Sequence, residues 1–323
     1  MTQCYNLTLV SYLTNLLPKR IVSFLPSATE MLYDLGMGNQ IVGVTHECNF
    51  PDDAKQKPRV IHCSFDPQKM DSKEIDTKVA GLVQTGKDIY LIDEKILKEA
   101  DPDLIVAQGL CEVCSPFTKE VNRAVSLLNN KPEVLILDPH NLDDILTNIL
   151  EVAQRVDKVN EAQVLIDSLK KRIECVKNKP KKSKPKILCV EWLDPLFTAG
   201  HWIPQMVEIA GGINGLGVTG DSSRKMTLEE ATKFDPHIII LMPCGFGINR
   251  TLEQYSKLDS IEWKSLKAVQ NGHVYAVNAN SYFSKPSPRT ITGLEILAKI
   301  IHPETFEDLL IPKDSFVQIK VLN

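Results

Sequence analysis

The chain has no charge excess to speak of: 37 Lys and Arg stand against 41 Asp and Glu in 323 residues, a net of −4. That leaves neither a broad basic field for nucleic acid nor an acidic tail. Aromatic residues are sparse, at 6%. No apolar run approaches the ~20 residues that a membrane-spanning helix needs. A secretory leader is also missing from the pattern. No Lys or Arg precedes the apolar run from Leu7 to Leu17, Ser11, Thr14 and Asn15 interrupt it, and no A-x-A site follows. The glycine fingerprint of dinucleotide sites, the Walker A sequence and the nucleophile elbow are all absent, so nucleotide and serine-hydrolase chemistry lack their usual support. The eight cysteines are scattered too widely for a small disulfide scaffold. With 43% hydrophobic and 24% charged residues, the composition is that of a globular protein with a real core and length for two domains. The expectation is a leaderless cytoplasmic protein, with extracytoplasmic membrane association as the alternative.

Short apolar segments read as strands at 20–25, 41–44, 103–107 and 134–137, and again at 186–190, 238–242 and 274–277. Helical patterns alternate with them, which predicts parallel sheets covered on both faces. Ser27 or Thr29 is placed to cap the helix that ends before Gly36. From Asn141 to Val176 the apolar residues follow helical spacing with no Gly or Pro, predicting one long helix. The Lys-rich stretch 177–186 then reads as a solvated linker, since no aromatics are interleaved as single-stranded nucleic acid would require.

The two halves resemble each other. An Asp-Pro pair precedes a strand in each, at Asp101-Pro102 and Asp235-Pro236, and Met31–Gly36 matches Met206–Gly211. The expected organisation is an extension (1–19), an α/β lobe (20–140), a linking helix with its Lys-rich linker (141–184) and a second α/β lobe (185–323). Because ligands sit beyond the carboxyl ends of parallel strands, four chemically rich segments should converge on one cleft. They are THECNFP, QGLCEVC, EWLDP with AGHW, and PCGF.

In those segments Cys111 and Cys114 form a C-x-x-C pair. Cys48, His201 and Cys244, with His46, could complete a site for Zn, Fe or Cu, to which thiolate and imidazole are suited. The bland reading is that free cysteines pack as small buried hydrophobes. His46 or His201 could instead ligate the metal of a macrocycle directly. Glu47, Glu112, Glu191 and Asp194 could contact ligand amides or a metal, or cap helices. Arg289, at the mouth of the last helix, could reach a ligand phosphate or carboxylate, or form an interlobe salt bridge. His62, His140, His237, His273 and His302 have no partner pattern and read as surface or core residues. An enzyme would need a Cys nucleophile beside His46 or His201.

Taken in order, RIVSFLPSATEMLYDLG, IVGVTHECNFP, DPDLIVAQ, the helix after LILDPHNLDDIL, PLFTAGHWIPQMVEIAGG and YFSKPSPR resemble the class III substrate-binding (Fe/B12 periplasmic-binding-like) family. The cysteine-bearing segments resemble its leaderless cobalamin-binding branch. The resemblance implies two Rossmann-like three-layer lobes joined by one long helix that limits their motion, and non-catalytic binding of a corrinoid or related metal chelate between them. Carried over by position, Trp192, Trp202, Phe246, Tyr282 and Phe283 are the apolar contacts to the macrocycle, with Phe117 a weaker one. Aromatic faces bury such a ring with little loss of side-chain entropy. The alternatives are a metal-ion binder using the Cys/His cluster and an enzyme using it. Transport members also dock on an ABC permease through a carboxylate on each lobe. Glu120 matches in the first lobe, but Ser284-Lys285-Pro286 offers no acid in the second, which argues against a permease partner.

Overall fold

The computed structural model describes residues 17–109 and 118–320. Strands β1 (Ile21–Ser23), β2 (Ile41–Thr45), β3 (Arg59–Cys63), β4 (Tyr90–Ile92), β5 (Leu104–Gln108) and β6 (Glu133–Leu137) form the first sheet, in the order β4-β3-β2-β1-β5-β6. All pair in parallel except β4, which runs antiparallel to β3. The second sheet contains β7 (Lys186–Leu193), β8 (Leu196–Thr198), β9 (Ile213–Asn214), β10 (Arg224–Lys225), β11 (Ile238–Leu241), β12 (Val274–Val277) and β13 (Phe316–Ile319). Its order is β10-β8-β7-β11-β12-β13, with β9 pairing to β7.

The molecule is therefore the expected two-lobe α/β fold, but its sheets are mixed rather than purely parallel. Strand β8 returns antiparallel to β7 because Asp194-Pro195 makes a tight hairpin, pairing Leu193 with Leu196. β13 closes the far edge antiparallel to β12. Hairpins of this kind need only a turn, whereas parallel neighbours need a helical crossover.

The duplicated Asp-Pro signal has a common geometry. Helix 94–100 ends at Asp101 (φ 38°) and helix 228–234 at Asp235 (φ 51°), both in the left-handed region. A short polar side chain tolerates that conformation, and the following proline cannot continue a helix. Each chain then enters the strand beside its lobe's first strand, β5 beside β1 and β11 beside β7.

Between the lobes the structure differs from the single helix expected over 141–178. Two helices occupy the span, Leu142–Arg155 and Val159–Asn178. Asp157 (φ 53°) breaks them apart. The Lys158 amide donates back to the Ala153 carbonyl, at 2.9 Å, so the break satisfies a carbonyl that the helix end would orphan. Asp supplies the left-handed residue where Gly was the anticipated stop signal. One apolar cluster runs through both helices, from Leu32 and Leu104 of the first lobe by way of Ile149 and Ile166 to Val207 and Leu297 of the second. A shared core, and not an unbroken helix, ties the lobes together.

The capping expectation also changes. Helix 26–34 starts from Leu25 with Pro26 in its first turn and no side-chain cap. Ser27 and Thr29 are buried, and Thr29 Oγ1 bonds Ser23 Oγ at 2.9 Å.

Candidate functional site

The carboxyl ends of the two sheets meet along three seams. At the first, Glu30 of helix 26–34 accepts from Arg289 Nε (2.9 Å), from Arg289 Nη2 and from Ser287 Oγ (2.6 Å). Glu30 is 2% exposed, so this is a buried interlobe ion pair. The Arg289 guanidinium also stacks on Phe50, 3.9 Å from the ring centre. Nearby, Lys285 Nζ donates to the Glu47 carbonyl at 3.4 Å.

The second seam pins the loop after β3 to the second lobe. Arg250 Nη2 donates to the carbonyls of Pro67 (2.5 Å) and Met70 (3.1 Å). Trp192 Nε1 donates to the Ser72 carbonyl at 3.1 Å, and Gln254 Oε1 accepts from the Ser72 amide at 3.2 Å. Lys257 and Asp71 add an ion pair at 3.3 Å. Trp192 and Phe246 pack against each other here, 5.2 Å between ring centres, and Arg250 lies on the Phe246 ring at 3.9 Å.

At the third seam, the His140 ring spans from Asp138 Oδ1 (3.3 Å) to the Gly220 carbonyl (3.1 Å). Desolvation opposes the charged ring, but the Gly220 carbonyl and the Asp138 carboxylate outweigh it and hold His140 above the ordinary imidazole value. His201, with φ 51°, is locked by its amide on the Asp221 carbonyl at 2.6 Å. Desolvation first, then the nearby His140, keeps His201 below the ordinary value. Its Nε2 is buried without a hydrogen-bond partner among the described residues.

The candidate residues fall into place as follows. Trp192 lies inside β7, paired with Phe197, and not in a loop after it. Glu191 accepts from Ser223 Oγ at 2.5 Å, and its carbonyl accepts the amide of half-buried Cys244 at 3.1 Å. Trp202 is buried and donates from Nε1 to the carbonyl of buried Phe283 at 3.0 Å, so this pair ties the start of helix 203–209 to the end of helix 279–282. Tyr282 is half-buried near the Arg289 guanidinium, at 5.8 Å. His46 lies beside Tyr90 (6.2 Å), is held below the ordinary imidazole value chiefly by desolvation, and has an unpartnered buried Nδ1 among the described residues. Glu47 follows it, half-buried.

Two placements bear on ligand chemistry. Cys48 is fully enclosed, its thiol bonded to Thr29 Oγ1 (3.1 Å) and near Thr45 Oγ1 (3.3 Å), and burial pushes its pKa up. A thiol so held does not present a thiolate to a metal. Arg289 is committed to Glu30. Cys111, Glu112, Cys114 and Phe117 lie outside the described residues. Among the described residues no group of three His, Cys, Asp or Glu is arranged to hold a metal ion. No described helix is long and apolar enough to cross a membrane.

Several seam residues carried no signal that sequence reasoning used. Glu30 could have been found, because a carboxylate among Ala28, Met31 and Leu32 on a helix demands a partner. His140 read as an ordinary histidine. Arg250, Gln254 and Ser72 have no local pattern at all, since their partners are about 180 residues away.

Comparison with known proteins decides the family. The family model described as periplasmic binding protein matches residues 21–280. The chain belongs to the periplasmic binding protein family. This family member is 25% identical over 298 residues to the ABC transporter substrate-binding lipoprotein YvrC of Bacillus subtilis, covering 90% of this chain and 82% of that one. It is 22% identical to a vitamin B12-binding protein of Vibrio cholerae, covering 86% and 87% of the two chains. The structure of the periplasmic heme-binding protein RhuT from Roseiflexus superposes with a TM-score of 0.64 at 19% identity, covering 89% of this chain and 99% of that one. These relatives overturn the cytoplasmic expectation. The family is periplasmic by its description, and YvrC is a lipoprotein, so the absence of a recognisable leader pattern was a poor guide to location.

Proposed function

We propose that this periplasmic binding protein captures a flat metal chelate, a corrinoid in the first instance, between its lobes without catalysing a reaction on it. The observation that carries the reading is the Trp192–Phe246 pair. It stands at the carboxyl end of the second sheet and reaches across to the first lobe through the bond from Trp192 to Ser72. Half-buried Trp192, with buried Phe246 packed against it, offers an aromatic face that suits a broad semi-rigid ring, and the buried unpartnered nitrogens of His46 and His201 would gain partners from a ligand once the seams open. The vitamin B12-binding and heme-binding relatives favour a metal macrocycle.

The loop from Pro67 to Ser72 is held to the second lobe mainly by directional polar bonds, so ligand entry here needs only those bonds to exchange. Delivery to an ABC permease is the partner this reading supplies, as the relation to YvrC suggests. Of the docking carboxylates implied by resemblance, Glu120 sits in a groove on the first lobe beside Asp88, Lys119 and Arg123, whereas Lys285 in the second lobe is buried.

Titration with aquocobalamin, cyanocobalamin and hemin, followed by tryptophan fluorescence and the ligand's absorption, tests the proposal. Saturable one-to-one binding of a corrinoid is expected, with quenching reduced in Trp192→Phe. Saturable binding of hemin alone would move the assignment to a porphyrin. No binding of any of the three sinks it.

A further inference from the structure

The cations that reach across the seams divide by partner. Arg289 meets the Glu30 carboxylate, Lys257 meets Asp71 (3.3 Å) and Lys225 meets Asp76 (3.6 Å). Arg250 and Lys285 meet no carboxylate among the described residues. Arg250 donates from Nη2 to the Pro67 and Met70 carbonyls and from Nη1 to Gln68 Oε1 at 3.3 Å, all neutral acceptors of the first lobe. Lys285, 7% exposed, has only the Glu47 carbonyl at 3.4 Å among the described residues. Arg59 rests on carbonyls too, but those of Thr45, Cys48 and Lys55 lie in its own lobe, where it fixes a turn.

Two acids stand near Arg250 without pairing with it. Asp66 is engaged by Lys69 at 2.9 Å and by the Gln68 amide at 3.1 Å, and Glu253, one turn along the same helix, is exposed. The first turn of helix 248–255 holds no acid, and the positive end of its dipole adds to the Arg250 charge. Burial holds the guanidinium below its ordinary value, though Glu253 and Asp66 pull it up. A guanidinium stays charged in a protein, so one that is half-buried on neutral acceptors is poised to take an anion. Its place is fixed by the Phe246 ring, on which it lies at 3.9 Å, and Phe246 packs on Trp192. A forked cation therefore stands at the rim of the aromatic pair.

We propose that Arg250 receives an anionic substituent of the bound chelate, a carboxylate or a phosphate, exchanging the Pro67 and Met70 carbonyls for it. Either group takes two donors of the fork at once, in charge-assisted bonds about twice as strong as those to a carbonyl. The aromatic face accepts the ring while Arg250 reads the charge at its edge, so the site favours chelates with an anionic arm over neutral ones. Lys285 supplies a second cation of the same kind at the first seam. This assignment rests on capture of a metal chelate between the lobes, as proposed above.

Two pairs of probes test it: hemin against its dimethyl ester, and cyanocobalamin against dicyanocobinamide, which lacks the phosphodiester and its nucleotide. Affinities for the whole chain are read by tryptophan fluorescence and probe absorption. Within a pair that binds, the anionic member is expected to bind about tenfold more tightly. A preference in the hemin pair assigns a carboxylate, and one in the cobalamin pair a phosphate. Arg250→Gln should bring the ratio close to one, and Arg250→Lys, which keeps the charge without the fork, should leave about threefold. A residue that merely held the loop would shift both members of a pair alike. Equal affinity within every pair that binds, or a preference that survives in Arg250→Gln, would overturn the proposal and leave capture of a chelate standing. Binding of none of the four would remove that capture and this assignment with it.

Discussion

Removing Arg289 should destabilise the protein more than removing any other single polar side chain of the seams. Glu30 is 2% exposed and takes three donors, two of them from Arg289. In Arg289→Ala its carboxylate keeps only the Ser287 hydroxyl, and water cannot replace the lost fork. Breaking a buried pair from one side typically costs about 3–5 kcal/mol. The reverse truncation, Glu30→Ala, should cost less. The freed guanidinium keeps the Phe50 face, and its side chain is 19% exposed and can reach water. Glu30→Gln keeps hydrogen bonds but loses the charge, at roughly 1–2 kcal/mol. Replacing both residues with methionine should recover much of the loss, because the desolvation of two ions disappears with them. Only the stacking on Phe50, worth about 0.5–1 kcal/mol, has no substitute. With the double variant Glu30→Ala/Arg289→Ala added, denaturant unfolding of these variants closes the cycle. A loss below about 1 kcal/mol in Arg289→Ala, or single costs that simply add in the double variant, would show that the ion pair does not clamp the lobes.

Other outcomes follow from the same structure. His46 and His201 are both held below the ordinary imidazole value, so the folded state keeps them neutral while the unfolded state takes up protons near pH 6.5. Stability is therefore full above about pH 6.5 and falls as pH drops below it, by up to about 1.4 kcal/mol per pH unit for each group. His201→Asn, which tolerates the left-handed backbone, should flatten that slope, and thermal melts across pH 5 to 8 will show whether it does. Asp235→Ala should cost about 1–2 kcal/mol because alanine resists φ 51°, whereas Asp235→Gly should not. Unfolding midpoints separate the two. Thiol labelling read by peptide mapping should modify exposed Cys175 in the native protein and spare Cys48 and Cys189, which are buried with pKa values pushed up, until denaturant is added. Labelling of Cys48 at the rate of Cys175 would show that its pocket opens.

Much of the architecture was legible because it rests on local rules. Continuous apolar runs gave the parallel strands, and the Asp-Pro pairs marked two equivalent helix ends before they were seen to share a left-handed aspartate. Local rules failed where one residue had two possible conformations. Asp157 could have continued a helix or turned out of it, and the link to Ala153 decided for the turn. Asp194-Pro195 looked like the loop after a strand and became a hairpin that carries Trp192 inside the sheet. Long-range pairings were hidden for a different reason. Nothing near Arg250 names Pro67, and nothing near Arg289 selects Glu30 over a ligand; only the closure of the lobes makes those choices. Cysteine content pointed toward metal chemistry, yet Cys48 is a packed core residue whose partners are threonines.

The most direct test of the account is amide hydrogen exchange on the chain with and without whichever of cobalamin or hemin it binds. Added protection should appear together at residues 45–50 and 64–72 of one lobe and 242–247 of the other, and be absent from the outer strands β4 and β13. Protection confined to one lobe, or to the outer faces of the sheets, would contradict capture between the lobes.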